Sequence, residues 1–174
     1  MLTESTQDAL NQQINHELRA YYAYLSMAAH FEDTNLKGFA AWFYQHAQEE
    51  MSHAMKFYDF INSRRGRVKL HAVPEPEFTW ATPQAVYESA LAHEQQVTVA
   101  INKLVKMARD EGDFATDSFL QWFVDEQVEE EELVDDILQK LILIGDFKPG
   151  LYLLDQELAA DAATLAAAEG DATE

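Results

Sequence analysis

Cysteine is absent from this sequence, and basic residues are few. The first absence excludes disulfides, zinc ribbons, thiolate-bound clusters and a cysteine nucleophile, so any metal site must use carboxylate, imidazole or amide ligands. The second leaves 12 lysines and arginines against 31 aspartates and glutamates, a net charge of −19 at pH 7. We expect no binding to nucleic acid or to an anionic membrane, because their phosphates would not be neutralised. Metal cations and basic proteins stay open as partners.

Long apolar runs are also missing. No stretch approaches the roughly 20 residues that a membrane-spanning helix needs. The first residues, MLTESTQDAL, lack the basic start and apolar core of a secretory signal. We therefore expect a soluble cytoplasmic protein. Its 174 residues, 48% of them apolar, suit one domain better than two.

Glycine and proline, which interrupt helices, number only six and four, and three of the prolines lie between residues 74 and 83. This distribution predicts long helices on both sides of that segment. The predicted helices run over about 5–33, 36–64, 83–112 and 114–145. Their expected starts are a capping box at Ser5 and Asp8, the Thr82-Pro83 pair, and Asp113.

Four helices of nearly thirty residues predict an all-α four-helix bundle. Short links make the first two and the last two helices antiparallel pairs, and the long connection over residues 65–80 can cross the bundle's full length. A short fifth helix is expected within residues 147–158, before an Ala-rich acidic end. We therefore expect one domain over residues 1–160 and a mobile tail over residues 161–174.

The apolar stripes that should face the core are each interrupted near their middle by side chains that can bind a metal. An unpaired buried carboxylate costs several kcal/mol, and four facing carboxylates also repel one another. One buried polar group would more simply fix helix register, but five or six at one level favour a cation. The interrupting residues are Glu17, His46, Glu50, His53, Glu94, Gln127 and Glu130.

The spacing of these residues repeats along the chain. Glu17 and Glu50 are 33 residues apart, as are Glu94 and Gln127, and an offset of 77 also relates His53 to Glu130. The pattern indicates two helical hairpins related by a pseudo-two-fold axis. Hard oxygen ligands with an imidazole suit iron or manganese, with zinc as a competitor. The number of charged ligands leaves room for two ions bridged by Glu50.

The chain also strongly resembles the non-haem bacterial ferritins from residue 1 to about residue 160. The motifs that carry the resemblance are AQEEMSH (47–53), HEQ (93–95), FLQWFVDEQVEEEE (119–132) and GLYLLDQEL (150–158). The resemblance implies a ferritin-like bundle that oxidises Fe(II) with O₂ or peroxide at a di-iron centre. It further implies a shell of twenty-four identical subunits that keeps the ferric mineral inside.

The same resemblance implies roles for individual residues. The first iron position would be held by Glu17, Glu50 and His53, with Glu50 bridging. The second would be held by Glu94 and Glu130, with the amide of Gln127 close by as a hydrogen-bonding partner. A third iron position beside the pair would be formed by Glu49, Glu126, Glu129 and Glu130.

Departures from neighbouring families keep alternatives open. Bacterioferritins carry Glu-x-x-His in both halves, whereas the second half here has Gln127-x-x-Glu130. Met51 follows Glu50 where bacterioferritins place a haem-ligating methionine, but non-haem relatives can carry one too, and we expect no haem. The alternatives are a bacterioferritin-like protein, another di-iron oxidase or peroxidase that stores nothing, and a non-catalytic acidic bundle that serves assembly.

Other residues near the expected centre have more ordinary interpretations. Tyr24 lies two turns beyond Glu17 and either packs in the core or acts on a ligand, by a hydrogen bond or by donating an electron. His46 is expected to make a core hydrogen bond rather than bind iron, and Trp122 is expected to pack. The remaining histidines, expected to be structural or at the surface, are His16, His30, His71 and His93.

Overall fold

The computed structural model describes residues 2–171, and the side chains of residues 2–167. It contains five helices, which are α1 (Glu4–Asp33), α2 (Lys37–Ser63), α3 (Pro83–Asp110), α4 (Phe114–Ile144) and α5 (Lys148–Asp171). No strand occurs within these residues. Helix α1 packs along α2, and α3 packs along α4. The predicted four-helix bundle, with a long connection between α2 and α3 and a fifth helix at its end, is confirmed.

Side-chain caps explain where the helices begin. Thr82 accepts a hydrogen bond from the amide of Ala85 at 3.1 Å, and Asp113 accepts one from the amide of Thr116 at 3.2 Å, as predicted. The capping box predicted at Ser5 and Asp8 is wrong. Thr3 caps α1 instead, because its hydroxyl accepts from the amide of Thr6 at 3.1 Å and Ser5 already lies in the first turn.

Helix α5 is longer than the sequence predicted and is fastened to the start of α2. Leu36, the residue before α2, offers no side-chain cap. The carboxylate Oδ1 of Asp155 takes that role by accepting from the amides of Gly38 at 2.7 Å and Phe39 at 3.2 Å. Gly38 is required there, since a Cβ would lie 1.6 Å from the carbonyl oxygen of Asp155.

The expected mobile tail falls partly within this helix. Residues 161–171 continue α5 as a helix, whereas residues 172–174 lie outside the described residues. The mobility of the tail and the domain boundary near residue 160 stay predictions. None of the helices in residues 2–171 combines the length and apolar character that crossing a membrane requires.

Two apolar clusters fill the two ends of the bundle. One is built around aromatic rings such as Phe31, Phe43 and Tyr87, and the other around Phe57 and Phe123. The residues that form the predicted apolar stripes are buried in the structure, except Tyr21 on the stripe of α1 and Phe60 on the stripe of α2, which are half-buried. Between the two clusters the stripes carry polar side chains. The core thus has a polar layer at mid-height, closed above and below by apolar packing.

Candidate metal centre

The polar layer brings together side chains from all four bundle helices. Each of its six members is at most 4% exposed, so water contributes little to their solvation. The members are Glu17 from α1, Glu50 and His53 from α2, Glu94 from α3, and Gln127 and Glu130 from α4. Six of the seven interrupting residues that the sequence indicated, all except His46, therefore share one buried layer.

Glu17, Glu50 and His53 form the most buried of three groups whose ligand atoms lie within 4.8 Å of one another. His53 Nδ1 is 3.5 Å from Glu50 Oε2, one helical turn away on α2. Gln13 donates to Glu17 Oε1 at 2.8 Å and is itself 1% exposed. Sequence reasoning missed Gln13, although its position one turn before Glu17 on α1 was the available signal.

Glu94 occupies the same layer but belongs to none of these groups among the described residues. Its Oε1 accepts a hydrogen bond from the phenol of Tyr24. Its Oε2 accepts from Nε2 of Gln127 at 3.2 Å, and the same amide lies 3.3 Å from the hydroxyl of Thr98. Glu94 is thus oriented by a phenol and an amide. Thr98 was not singled out from the sequence.

Two further groups share Glu130. One consists of Glu130, His53 and Glu126, with His53 Nε2 lying 3.7 Å from Glu126 Oε1. The other consists of Glu130, His46 and Glu49, with His46 Nδ1 lying 2.9 Å from Glu49 Oε2 and 3.8 Å from Glu130 Oε2.

The carboxylates that were predicted to form a third iron position do not all belong to one of these groups. Glu126 and Glu49 fall into different groups, and Glu129 falls into neither. Glu129 is exposed and lines a cavity with the others.

His46 departs from its sequence interpretation. The ring is 3% exposed, its Nδ1 lies 2.9 Å from Glu49 Oε2 on the same helix, and its Nε2 makes no hydrogen bond. The polar partner of His46 is therefore a carboxylate one turn away on α2 rather than a group across the core. Trp122 is 40% exposed and packs edge-on to His53, with ring centroids 5.4 Å apart. Lys56, which the sequence did not flag, places its ammonium 3.8 Å from the centre of the Trp122 ring.

Burial dominates the electrostatics of the layer. Loss of solvation raises the pKa of Glu17 to about 7, against the opposing effect of hydrogen bonds from Gln13 and Glu50. Burial, followed by the charges of neighbouring glutamates, raises the pKa of Glu50 and of Glu130 well above the ordinary value. Burial also lowers the pKa of His53 to about 4, so its imidazole is neutral at pH 7.

These shifts have one chemical consequence. Without a cation the layer can relieve its charge only by keeping protons on carboxylates. A divalent ion that displaces those protons would find anionic oxygens and a neutral imidazole nitrogen, which are ligands of hard and borderline metals. The layer therefore offers the kind of ligands that could exchange protons for a metal ion.

Comparison with known proteins gives concordant matches. The family described as the ferritin-like domain matches residues 7–144. A bacterial non-haem ferritin from Staphylococcus saprophyticus is 43% identical over 160 residues, which cover 92% of this chain and 96% of that protein. The Staphylococcus aureus protein of the same name is 41% identical over 160 residues, with the same coverage.

Solved structures agree with these sequence matches. An open-pore ferritin from the archaeon Archaeoglobus fulgidus superposes with a TM-score of 0.90 at 51% identity, covering 91% of this chain and 98% of that one. A structure titled humanized archaeal ferritin has the same TM-score at 48% identity, covering 91% of this chain and 96% of its own. The sequence matches and the structural matches thus point to the same family.

Proposed function

The chain belongs to the ferritin family, and from this premise we propose that it stores iron after oxidising Fe(II) at a di-iron centre within each subunit. The observation that carries the proposal is the buried group of Glu17, Glu50 and His53. Its ligand atoms converge, and burial raises the pKa of both carboxyls above the ordinary value. A buried group of this kind is stabilised when a cation binds to it and replaces its protons.

Five side chains are proposed to hold the iron pair. Glu17, Glu50 and His53 bind the first Fe(II), and Glu50 bridges to the second. Glu94 and Glu130 bind the second ion. Gln127 keeps its amide on Glu94, which is supported by the 3.2 Å hydrogen bond between them. Their burial keeps competing water away from both ions.

The reaction follows from the ligand set. Two Fe(II) ions supply two electrons, which together with two protons reduce O₂ to H₂O₂, or reduce H₂O₂ to two waters. Anionic carboxylates stabilise the ferric product more than the ferrous substrate, so they favour oxidation. Protons released from Glu17 and Glu50 on iron binding become available to the reduced oxygen. Ferric product then leaves for the mineral, so the ligands must not hold it too tightly.

A third iron position is proposed beside the pair, on carboxylates that extend from the centre toward the protein surface. Exposure rises along this series, from the buried Glu130 through the half-buried Glu49 and Glu126 to the exposed Glu129. The arrangement suits a path by which iron leaves the pair. The residues assigned to this position are Glu49, Glu126, Glu129 and Glu130.

Storage needs an assembly, and we propose the twenty-four-subunit shell. Large apolar side chains are exposed on this single chain along the α4–α5 junction, among them Leu143 at 87% and Leu153 at 66%. Exposed apolar clusters of this kind mark interfaces between protein chains. The absence of haem and a cytoplasmic location stay predictions.

Loading with Fe(II) without oxygen, followed by air, tests the proposal. We expect absorbance of ferric product, elution as a large shell, and far more iron per subunit than the ligands can hold. Glu50→Ala and His53→Ala should remain assembled but slow the oxidation severely. His71→Ala, at an exposed histidine, is the matched control and should behave as the unaltered protein.

The outcomes separate the alternatives. Wild-type oxidation rates in both Glu50→Ala and His53→Ala would overturn the assignment of the centre. Fast oxidation without mineral accumulation would indicate a di-iron oxidase or peroxidase that stores nothing. An acidic assembly module predicts neither oxidation nor any change in stability on adding Fe(II), Mn(II) or Zn(II).

A further inference from the structure

Two side chains beside the polar layer have no role in the proposed function. Thr98 lies one turn after Glu94 on α3, and Glu131 lies one turn after Gln127 on α4. The hydroxyl of Thr98 lies 2.5 Å from Oε1 of Glu131 and 3.3 Å from Nε2 of Gln127. The same Nε2 lies 3.2 Å from Oε2 of Glu94. A continuous chain of hydrogen bonds therefore runs from the half-buried Glu131 to a proposed iron ligand.

The chemistry of the four groups fixes the direction of each hydrogen bond. An ionised carboxylate can only accept, so the hydroxyl of Thr98 donates its single hydrogen to Glu131. The distance of 2.5 Å between the two oxygens is that of a hydrogen bond from a hydroxyl to a charged oxygen. The oxygen of Thr98 can then only accept from Gln127. Gln127 therefore presents its amide nitrogen to Thr98, because its carbonyl oxygen would face another acceptor.

The orientation of this amide decides what Glu94 meets. When the nitrogen of Gln127 faces Thr98, the same nitrogen donates to Oε2 of Glu94. If the amide turned by 180°, its carbonyl oxygen would face that carboxylate and repel it. Glu94 would then lose the donor that Gln127 provides and keep the phenol of Tyr24. The position of Glu94 thus depends on a contact that Thr98 makes.

A cavity beside this chain of hydrogen bonds leaves the amide room to turn. The cavity has a volume of about 260 Å³, and it is lined by Thr98, Gln127 and Glu131 together with apolar side chains of α3 and α4. The nitrogen and oxygen of an amide are also nearly the same size, so packing does not select between its two orientations. Hydrogen bonding selects the orientation instead.

We propose that Glu131 is a positioning residue for the second iron position and that it acts through Thr98. By holding the hydroxyl hydrogen of Thr98, Glu131 keeps the amide nitrogen of Gln127 on Glu94 and so keeps Glu94 in place for its ion. The inference rests on the proposed function, because Glu94 is assigned there to the second ion. Removing a group that orients a metal ligand commonly lowers metal affinity about 10–100-fold.

The two proposed iron positions should respond differently to the loss of this chain of hydrogen bonds. At the first position, Glu17 accepts from Gln13 at 2.8 Å and makes no printed contact with Thr98 or Glu131. A change at Thr98 should therefore weaken the second ion and spare the first. A general loosening of the bundle would weaken both.

Calorimetric titration of the metal-free assembled protein with Zn(II) tests the inference, because zinc is not oxidised and its binding is measured apart from the reaction. His53→Ala identifies the binding step that belongs to the first position. Thr98→Val removes the hydroxyl at nearly constant shape. It should weaken the other step about tenfold and leave the first step within about twofold. Thr98→Ser keeps the hydroxyl and should restore the second step.

Variants of Glu131 separate positioning from a general effect of charge. Glu131→Ala frees the hydroxyl of Thr98 and should weaken the second step about as much as Thr98→Val does. Glu132→Ala is the matched control, because it removes the same charge from the next residue, which is exposed. Adding Glu131→Ala to Thr98→Val should cause no further loss, because Glu131 acts only through Thr98.

Three results would overturn the inference. The first is an unchanged second step in Thr98→Val. The second is equal weakening of both steps with a lower melting temperature of the metal-free protein, which indicates a structural role only. The third is a double variant whose loss is the product of the two single losses, since Glu131 and Thr98 would then act independently. Should Thr98→Val fail to assemble, Glu131→Ala compared with Glu132→Ala decides the same question.

The inference and the proposed function can fail separately. If His53→Ala oxidises Fe(II) at the wild-type rate while Thr98→Val binds one Zn(II) more weakly, the assignment of the oxidation centre fails and the positioning role stands. If His53→Ala oxidises Fe(II) slowly while Thr98→Val binds both ions as the unaltered protein does, the oxidation centre stands and the positioning role fails.

Discussion

Tyr24 on α1 donates a buried hydrogen bond to Glu94 on α3, across the interface between the two helical hairpins. The other oxygen of Glu94 accepts from Gln127, so two side chains that are not carboxylates fix its orientation. Burial and the surrounding glutamates raise the pKa of Tyr24 well above its ordinary value. The phenol therefore keeps its proton and remains a donor to Glu94. The sequence left open whether Tyr24 packs or acts on a ligand, and this contact supports the second interpretation.

Tyr24→Phe should slow Fe(II) oxidation roughly tenfold, because a hydrogen bond to a charged group contributes about 1.5–3 kcal/mol and Glu94 would lose its fixed position. Stopped-flow absorbance of the ferric product measures the rate. Tyr87→Phe is the matched control, since Tyr87 is equally buried but its hydroxyl has no partner. Equal rates in Tyr24→Phe and the unaltered protein, with no radical signal lost, would leave Tyr24 only a packing role.

The stability of the metal-free protein should fall as the pH rises from about 5.5 to 7.5. The pKa of Glu17 is about 7 in the folded chain and about 4.5 unfolded, so its protonated form stabilises the fold at low pH. That contribution, on the order of 3 kcal/mol, is fully present below the unfolded pKa and is lost progressively until the pH passes 7, so roughly 2 kcal/mol of it is lost within this range. Thermal unfolding across this range measures it. Glu17→Gln should flatten the dependence, and a dependence as steep as that of the unaltered protein would contradict this account.

Adding Zn(II) to the metal-free protein should reverse that loss. An ion that binds only the folded chain stabilises it in proportion to the logarithm of its concentration. The gain should be larger at pH 7.5 than at pH 5.5, because protons and metal compete for the same carboxylates. Melting temperatures at both pH values, with and without Zn(II), check this. A gain that is the same at both would count against proton displacement.

Glu126→Gln should impair iron turnover more than Glu129→Gln, although the two residues are near neighbours in one acidic run. Glu126 Oε1 lies 3.7 Å from His53 Nε2 and belongs to a group of potential ligands, whereas Glu129 is exposed and belongs to none among the described residues. We expect a loss of roughly tenfold for Glu126→Gln against roughly threefold for Glu129→Gln, whose side chain stands at the exposed end of the proposed third position. Repeated Fe(II) additions followed by absorbance provide the comparison, and similar losses would remove the distinction.

Gly38→Ala should detach or displace α5. A Cβ there would collide with the carbonyl of Asp155, and relieving the clash should cost roughly 2–3 kcal/mol. Thermal unfolding and limited proteolysis of the C-terminal helix report the change. Asp155→Ala should cost about 1 kcal/mol through the lost cap of α2, and Asp155→Asn less, because its side-chain oxygen can still accept. If both Asp155 variants match the unaltered protein, the cap does not fasten α5.

Local sequence signals were sufficient to predict where most of the helices begin and end. Thr82-Pro83 and Asp113 cap helices as predicted, since each cap depends only on residues within one turn. The start of α1 was misplaced because three hydroxyl residues stand close together there. Thr3, Ser5 and Thr6 all donate to Glu111 at the end of α3, and this distant contact was invisible in the local pattern.

What the sequence determined by itself is the level of the polar layer. Helical periodicity places Glu17, Glu50, Glu94 and Gln127 on inward faces, and the repeated spacing of 33 residues puts them at one depth. These are properties of a single helix or of one hairpin, so no tertiary information is needed to obtain them.

Only the tertiary structure decided how those side chains are grouped. It joined Tyr24 to Glu94, divided Glu49 from Glu126, and placed Nδ1 of His46 beside the carboxylate of Glu49. The Ala-rich end continues α5 as a helix, and Asp161 of this helix lines the cavity that Glu129 and Glu130 also line. Such groupings depend on side-chain positions across three or four elements, where differences of about an ångström determine whether atoms share a proton, an ion or nothing.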